Sequence, residues 1–507
     1  MKREPKVLLV YPPNQLIPDV ETPRPDGGLG LLHLYAVLRN NDIEVDLIDA
    51  SIGTADHNLE HTFYRQIMQP NGLVRIGMSK NEIREHIAKG GYNIVGIHSN
   101  HTVQTNMALD VAAAAKEVDG DIYVLAGGVN ARSILNYMFK DDTIDVICLT
   151  KGEKIILQLV LNWMQGREYE GISGIAYKSN GQIVKRNAEP GDYIIKLDEL
   201  PFPAYDQLIW KHYDHICSPH GIKPDSPIRY APLETSQGCV FACLYCHIST
   251  EKRDTSLRGP IGKYLMKSVE RVQEEIDRLR DLDVTRLYIE DDSFLAKKAR
   301  VIKILNYLSG MNMQLAGVNG VNLVHLCIRE GDKLKPDREY FEILKEAGFD
   351  IIVFPIESAS QRILDKYATK KLNHKLLDVF ELIRTAADVG IRCPVNMMLG
   401  FPDETEEEMM ASVEMGKKAV EAGAEYCTPF VQIPFPGCDL YNLGFEKGYL
   451  PKRFNPDIFN YKNAVMINTL VPPERIMELR DYAHDYMNTS EHKSKRLRES
   501  AGHRWQD

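Results

Sequence analysis

Three cysteines within eight residues are the part of this sequence best suited to chemistry. Cys239, Cys243 and Cys246 are spaced C-x3-C-x2-C. Thiolates are soft ligands that suit iron–sulfur centres, so three of them on one loop could hold three irons of a [4Fe–4S] cluster. The fourth iron would then lack a protein ligand and stay open to a small molecule.

Zinc is the main alternative occupant of this group of thiols. A structural zinc site usually has four protein ligands. The adjacent His247 is poorly placed to be the fourth, because neighbouring residues rarely both reach one tetrahedral ion. In the remaining alternative, the three cysteines only fill apolar space.

The composition of the 507-residue chain is that of a globular protein of two to four domains, with 44% hydrophobic and 26% charged residues. Its 61 basic and 71 acidic residues give a net charge of −10, which argues against a general nucleic-acid binder. Nine cysteines in a chain of this length favour reduced thiols over a disulfide framework. No apolar run reaches membrane-spanning length, and the first residues do not resemble a signal peptide. We therefore expect a cytoplasmic protein without a membrane partner.

The first 150 residues alternate strand patterns with helical patterns. Five short apolar runs are predicted strands, at Lys6–Tyr11, Glu44–Ile48, Asn93–His98, Asp121–Ala126 and Asp145–Leu149. This alternation predicts an α/β domain with a parallel, doubly wound (Rossmann-like) sheet.

A second alternating series begins near residue 228. Its six predicted strands are Ala231–Thr235, Arg286–Glu290, Leu315–Asn319, Ile351–Ile356, Arg392–Leu399 and Tyr426–Ile433. The cysteine loop follows the first of them, at the strand end where parallel α/β folds place chemistry. The predicted domains are an α/β domain (1–160), a linker (161–227), a partial (β/α)6 barrel (228–433) and a small C-terminal region (434–507).

Carboxylates and glycines follow other strands of the second series, in 290–294, 354–360 and 399–405. Together with the cysteine loop they resemble the motifs of the radical S-adenosylmethionine (SAM) superfamily. The resemblance implies a [4Fe–4S] cluster on the three cysteines, with SAM bound at its open iron and cleaved by one electron to methionine and a 5′-deoxyadenosyl radical. The SAM contacts that it implies are Tyr245, Asp291, Asp292, Asn319, Glu357, Leu399 and Gly400.

Each of these segments also has a purely structural alternative. The carboxylates of 290–292 could form a solvated turn instead of binding the SAM amino group. Glu357, which the resemblance assigns to a ribose hydroxyl, could instead cap the helix predicted near Ser360. Residues 399–405 could be no more than the capped start of a helix.

Glycine-bearing loops follow strands of the first domain as well, and they resemble the cobalamin-binding domain of class B radical SAM enzymes. Ligands bind at this edge of a doubly wound sheet. The implied cobalamin contacts are Pro12, Gly28, Leu29, Ser99, Asn100, His101, Gly127, Gly128, Val129, Gly152 and Glu153. Some cobalamin domains ligate cobalt through the His of an Asp-x-His-x-x-Gly motif, whereas Ser51 stands at that place here. The resemblance thus implies a corrinoid without that ligand, and His101 could face the cobalt.

Over the N-terminal half, the order of these segments most resembles the C-methyltransferase group of the fosfomycin pathway. It implies a cobalamin-dependent radical SAM methyltransferase that moves a methyl group from methylcobalamin to an unactivated carbon of a small-molecule substrate. An electron donor such as flavodoxin or ferredoxin would be its protein partner. Two alternatives stay open: a non-methylating rearrangement or cyclisation with the same cofactors, and a non-catalytic corrinoid or iron–sulfur sensor.

Overall fold

The computed structural model describes residues 3–18, 25, 27–216, 228–369, 371–460, 463–490 and 494. The chain divides into two compact units. The first unit comprises residues 1–219, 251–261 and 455–460, and the second comprises 220–250, 262–454 and 461–507. A helix long and apolar enough to cross a membrane is absent from the described part of the chain.

The first unit is built on a seven-stranded sheet. Its strands are β1 (Lys6–Tyr11), β2 (Glu44–Asp49), β3 (Ile94–His98), β4 (Tyr123–Gly127), β5 (Val146–Cys148), β6 (Ile175–Ser179) and β7 (Gln182–Arg186). They lie in the order β7-β6-β5-β4-β3-β1-β2, and β1 to β5 pair in parallel. The strand order reverses beside β1, which is the place where doubly wound sheets open a crevice for ligands.

The helices of the first unit follow the predicted alternation. They span Leu29–Arg39, Lys80–Gly90, Thr105–Val118, Val129–Ser133, Leu135–Met138, Gly152–Trp163, Trp210–Ile216 and Thr255–Arg258. A small antiparallel sheet of Asn14–Leu16, Ile67–Met68 and Val74–Ile76 was not predicted. The start of the helix at Lys80 is fixed locally, because Ser79 and Glu82 form a reciprocal capping box.

The predicted linker contains two β-strands that were not predicted from the sequence. β6 and β7 form a hairpin that extends the sheet antiparallel to β5. They are joined by Asn180 and Gly181, both with positive φ, and an Asn-Gly pair is a strong hairpin signal. The end of the predicted linker, residues 217–227, lies outside the described residues.

The second unit has parallel strands at the six predicted positions, and the fourth position is divided into two strands. One sheet holds β8 (Tyr230–Leu233), β9 (Arg286–Ile289), β10 (Gln314–Gly317) and β11 (Phe349–Ile352), and another holds β12 (Phe354–Glu357), β13 (Val395–Leu399) and β14 (Cys427–Val431). Only Val353 separates β11 from β12, so the two sheets share one continuous path. All pairs within both sheets are parallel.

Helices alternate with these strands. They span His247–Arg253, Val269–Asp281, Lys298–Leu308, Arg338–Glu346, Gln361–Tyr367, Val379–Val389, Glu406–Glu421, Asp439–Glu446 and Pro473–Met487. Asp378 caps the helix that begins at Val379, because its side chain accepts from the Phe380 and Glu381 amides. The last helix packs against Glu406–Glu421, where Gly416 leaves room for Met487.

Gly128 follows β4 with φ 112° and ψ 162°, a conformation that is essentially restricted to glycine. A Cβ there would lie 2.4 Å from the backbone oxygen of Ser99. We expect Gly128→Ala to lower the free energy of unfolding of the full chain by about 1–3 kcal/mol, measured by urea denaturation. The exposed Gly120, where a Cβ meets nothing within 4 Å, is the control. Gly120→Ala should change stability by less than about 0.5 kcal/mol, and equal effects of both variants would contradict the assignment.

Candidate cofactor sites

The cysteine loop of the second unit starts where β8 ends. Ser236–Gln237 pairs antiparallel with Leu265–Met266, which fixes the direction of the chain as it leaves the strand. Gly238 has a φ of 78°, and a Cβ there would lie 2.3 Å from a backbone oxygen. The far side of the loop is held by the Leu244 amide, which donates to the Tyr367 carbonyl at 2.8 Å. The three cysteines therefore lie on a loop whose two sides are both anchored.

Two of the predicted SAM contacts, Asp291 and Asp292, hold this loop. Asp291 is only 4% exposed. Its carboxylate accepts hydrogen bonds from the Thr235 amide at 2.6 Å, from the Thr235 hydroxyl at 2.7 Å and from the Ser236 hydroxyl. Asp292 accepts one from the Gly238 amide at 2.8 Å. Burial raises the pKa of Asp291, and the hydrogen bonds from Ser236 and Thr235 oppose that rise.

The three cysteines are reduced, and their thiols lie close enough to affect one another's pKa. Cys243 is buried, and Cys239 and Cys246 are partly exposed. Burial raises the pKa of Cys243, and it raises the pKa of Cys246 to about 12, to which the other two thiols contribute. Such thiols stay protonated until a metal replaces their protons. The chemistry of three thiols suits the predicted cluster, although among the described residues no three His, Cys, Asp or Glu side chains are gathered as they would be around a metal ion.

Glu357 ends β12 in a strained backbone conformation, with a φ of 73°. Strain of this kind in a residue other than glycine is most often kept at functional sites. Its carboxylate pairs with Lys371, whose Nζ lies 3.0 Å from Oε1. The alternative role of Glu357 as a helix cap is wrong, because the Ser360 side chain accepts from the Ile363 amide and caps that helix.

The Tyr245 hydroxyl is buried near Cys243 and Glu357, but it forms no hydrogen bond of ordinary length with a described residue. Burial raises its pKa well above the ordinary value, and Glu357 and Cys243 add to the rise. Its ring centroid lies 6.0 Å from that of Phe401. An orphaned hydroxyl coupled to both Glu357 and a cluster cysteine fits a ligand with polar groups, such as SAM.

The other predicted SAM contacts already have protein partners or are enclosed. The Asn319 side-chain amide donates to the Glu290 backbone oxygen at 2.8 Å. Leu399 is fully buried, and the Gly400 amide donates to Glu404 at 2.8 Å. Burial raises the pKa of Glu404 to about 8, and one of its carboxylate oxygens lacks a hydrogen-bond partner. In this structure the Gly400 turn is held by Glu404.

The first unit contains a cavity of about 220 Å³ beside the strand-order reversal. Apolar residues of the sheet and of two helices form most of its wall, including Leu9, Leu31, Leu34, Leu125, Val146, Ile155, Ile156 and Leu159. Glycines at Gly30, Gly96, Gly127, Gly128 and Gly152 complete it. The wall also holds Glu153, of which one buried carboxylate oxygen lacks a hydrogen-bond partner. An apolar cavity with a glycine-rich wall and a free acceptor fits a bulky ligand that carries amide arms, as a corrinoid does.

The structure brings part of the predicted cobalamin set to this cavity. Its wall includes Asn100, Gly127, Gly128, Gly152 and Glu153, and it does not include Pro12, Leu29, Ser99, His101 and Val129. Gly28 lines a separate cavity of about 30 Å³. Ser99 instead accepts from Asn130 with its hydroxyl and with its backbone oxygen.

The cavity wall includes His98 and Arg132, which were not among the cobalamin contacts predicted from the sequence. His98, and not the exposed His101, lies in the wall and stacks on Tyr11 with ring centroids 5.0 Å apart. Burial, with a smaller contribution from His101, lowers the pKa of His98 to about 3, so its ring is neutral at physiological pH. His98 ends a predicted strand, so its position offered a signal. Arg132, whose Nε donates to Glu251 at 2.6 Å, offered none.

Two residues of the second unit were missed as well. Glu234 follows β8 and accepts from the Gln237 side chain at 2.8 Å. Burial raises the pKa of Glu234 to about 8. Lys371 pairs with Glu357 at the strained end of β12. Burial lowers the pKa of Lys371, but Glu357 and the nearby thiols outweigh that effect and raise it, so the amine stays charged.

Sequence comparisons match residues 233–416 to the Radical SAM superfamily. An uncharacterized methyltransferase of Pyrococcus horikoshii is 28% identical, over 88% of this chain and 84% of its own length. The cytidylyl-2-hydroxyethylphosphonate methyltransferase of Streptomyces wedmorensis is 25% identical, over 94% of this chain and 89% of its own.

Solved structures share the fold at low sequence identity. The radical S-adenosylmethionine methyltransferase TsrM of Kitasatospora setae, with cobalamin and a [4Fe–4S] cluster bound, aligns over 97% of this chain and 86% of its own, at a TM-score of 0.62 and 16% identity. OxsB, a cobalamin-dependent S-adenosylmethionine radical enzyme with aqua-cobalamin bound, aligns over 94% of this chain and 61% of its own, at a TM-score of 0.61 and 18% identity. The predicted fold class and the predicted [4Fe–4S] cluster and SAM are thereby confirmed. Residues 233–416 form a radical SAM domain.

Proposed function

We propose that this enzyme is a cobalamin-dependent methyltransferase that transfers a methyl group to an unactivated carbon of a small molecule. The observation that carries the proposal is the pairing, in one chain, of an anchored cysteine loop with a glycine-lined apolar cavity at the strand-order reversal of an α/β unit. Two relatives that align over most of their length are named as methyltransferases, and two solved structures of the same fold contain bound cobalamin. Both findings support the proposal.

In the second unit, Cys239, Cys243 and Cys246 would hold the cluster. SAM would lie against Tyr245 and Glu357, where the orphaned hydroxyl and the strained carboxylate offer partners to its amino acid and ribose. Asp292, Asn319, Leu399 and Gly400 would shape the rest of that pocket. Asp291 would act by positioning the loop.

In the first unit, the glycine-rich wall would admit the corrinoid face, and Glu153 would accept an amide proton from one of its arms. The neutral His98, stacked on Tyr11, would shield the cavity from water. When bound, the cluster with SAM would supply a hydrogen-abstracting radical and the corrinoid would supply the methyl group. The other predicted contacts, Pro12, Gly28, Leu29, Ser99, His101 and Val129, would act on the corrinoid from outside the present cavity wall.

A rearrangement or cyclisation with the same cofactors is the second candidate. The observation that favours it is the likeness to OxsB, which is described as a cobalamin-dependent radical enzyme without reference to methyl transfer. The two candidates differ in their products, because only methyl transfer converts SAM to S-adenosylhomocysteine as well as to 5′-deoxyadenosine.

The cysteine assignment and the reaction type can be tested together. Protein reconstituted anaerobically with iron and sulfide, then given hydroxocobalamin, SAM, a low-potential reductant and a methyl acceptor such as the cytidylyl-2-hydroxyethylphosphonate named for the Streptomyces wedmorensis relative, should form both products. Cys239→Ala, Cys243→Ala and Cys246→Ala should each lose the cluster and product formation, whereas the control Cys327→Ala should retain both. A triple variant that still held four irons would contradict the assignment. Formation of 5′-deoxyadenosine alone would favour rearrangement over methyl transfer.

Cobalamin binding can be tested by filling the cavity. Gly30 lies in its wall, and a Cβ there meets nothing within 4 Å. Gly30→Phe should therefore leave the fold intact but occupy ligand space. We expect the unaltered protein to retain hydroxocobalamin through gel filtration with a shifted visible spectrum, and Gly30→Phe to lose at least nine-tenths of it. Gly120→Phe, at an exposed glycine, is the control. Failure of the unaltered protein to retain any corrinoid would contradict the cobalamin proposal.

A further inference from the structure

A buried ion pair lies beside the cysteine loop, and neither of its members is a cluster ligand. Lys371 Nζ is 3.0 Å from Glu357 Oε1, and the two side chains are 15% and 9% exposed. Withdrawing two charges from water costs free energy that their attraction often only offsets, so such a pair is weak evidence for stability. A role in the chemistry next to it is the better explanation for its presence.

The pair is connected to the loop through one backbone carbonyl. The Ala368 oxygen accepts from the Lys371 amide at 3.1 Å, and the Cys243 thiol lies 3.5 Å from the same oxygen. The preceding carbonyl, that of Tyr367, accepts from the Leu244 amide at 2.8 Å. The segment that leads to Lys371 therefore contacts the middle of the cysteine loop. The charge of the Lys371 amine interacts with the thiols of Cys243 and Cys239.

Charges at this place act on the stability of the reduced cluster. A [4Fe–4S] cluster on three thiolates is already negative, and reduction adds one more negative charge. A buried cation nearby stabilises the reduced state more than the oxidised one and so raises the reduction potential, whereas a buried anion lowers it. Water and salt screen buried charges much less than exposed ones.

We propose that the Lys371–Glu357 pair sets the reduction potential of the cluster, with Lys371 cancelling the opposing charge of Glu357. This inference rests on the proposed assignment of Cys239, Cys243 and Cys246 as cluster ligands. The step concerned is the gain of one electron by the oxidised cluster, [4Fe–4S]²⁺ to [4Fe–4S]⁺, with the electron supplied by a low-potential reductant. No bond to Lys371 or Glu357 forms or breaks.

The test is a set of charge variants whose cluster potential is measured without SAM. Reconstituted proteins are titrated with dithionite, and the reduced cluster is followed by electron paramagnetic resonance. Lys371→Met should make the midpoint potential more negative, because Glu357 is left unpaired. Glu357→Gln should make it less negative, and the double variant should return close to the unaltered protein. Lys371→Arg, which keeps the charge, should also stay close to it.

Lys366→Met is the matched control, since Lys366 is a lysine five residues away with a 48% exposed side chain. Its potential should not change. The inference would be overturned if Glu357→Gln, the double variant and the unaltered protein all had the same midpoint potential. This comparison does not need Lys371→Met, so it still decides the question if that variant alone fails to hold a cluster. Absence of any cluster from the unaltered protein would overturn the cysteine assignment instead, so the two failures are distinguishable.

Discussion

The carboxylate of Asp291, almost fully buried two residues beyond β9, accepts three hydrogen bonds from Thr235 and Ser236, which lead into the cysteine loop. A buried carboxylate is costly unless such bonds replace its water. Here they tie the end of one parallel strand to the loop that leaves its neighbour. The three thiols can bind one cluster only if the loop is held in one conformation. Asp292 adds to this constraint by accepting a hydrogen bond from the Gly238 amide.

Buried ionisable groups recur in the second unit. Burial raises the pKa values of the Glu234 and Glu404 carboxyls to about 8, so both are mostly protonated and neutral at physiological pH, and the charge of Glu357 is balanced by Lys371. Their surroundings are therefore places of low dielectric where a single added or removed charge has a large effect. The cavity of the first unit has a more apolar wall and a neutral histidine, and its charged residues are Arg132, Lys151 and Glu153.

Hydrophobic periodicity was enough to predict the parallel strands of both units, because parallel strands are buried on both faces and form continuous apolar runs. It failed for the antiparallel strands, which include β6, the partly buried edge strand β7 and the small sheet of the first unit. The motif residues were found from sequence, but their partners were not. Lys371 meets Glu357 through a turn 14 residues along the chain, and no local pattern in the sequence indicates that contact. His98 ends β3 and His101 lies three residues further on in the following loop, and only the structure shows that His98 lines the cavity.

The central claim is that Asp291 holds the cysteine loop in place and does not bind SAM. Asp291→Asn tests it most directly, because the amide keeps the shape but cannot accept all three hydrogen bonds. The account predicts lower iron content after reconstitution and a loss of about 1–3 kcal/mol in unfolding free energy. SAM affinity per assembled cluster should be unchanged. Full iron content and stability together with a large loss of SAM affinity would contradict the account.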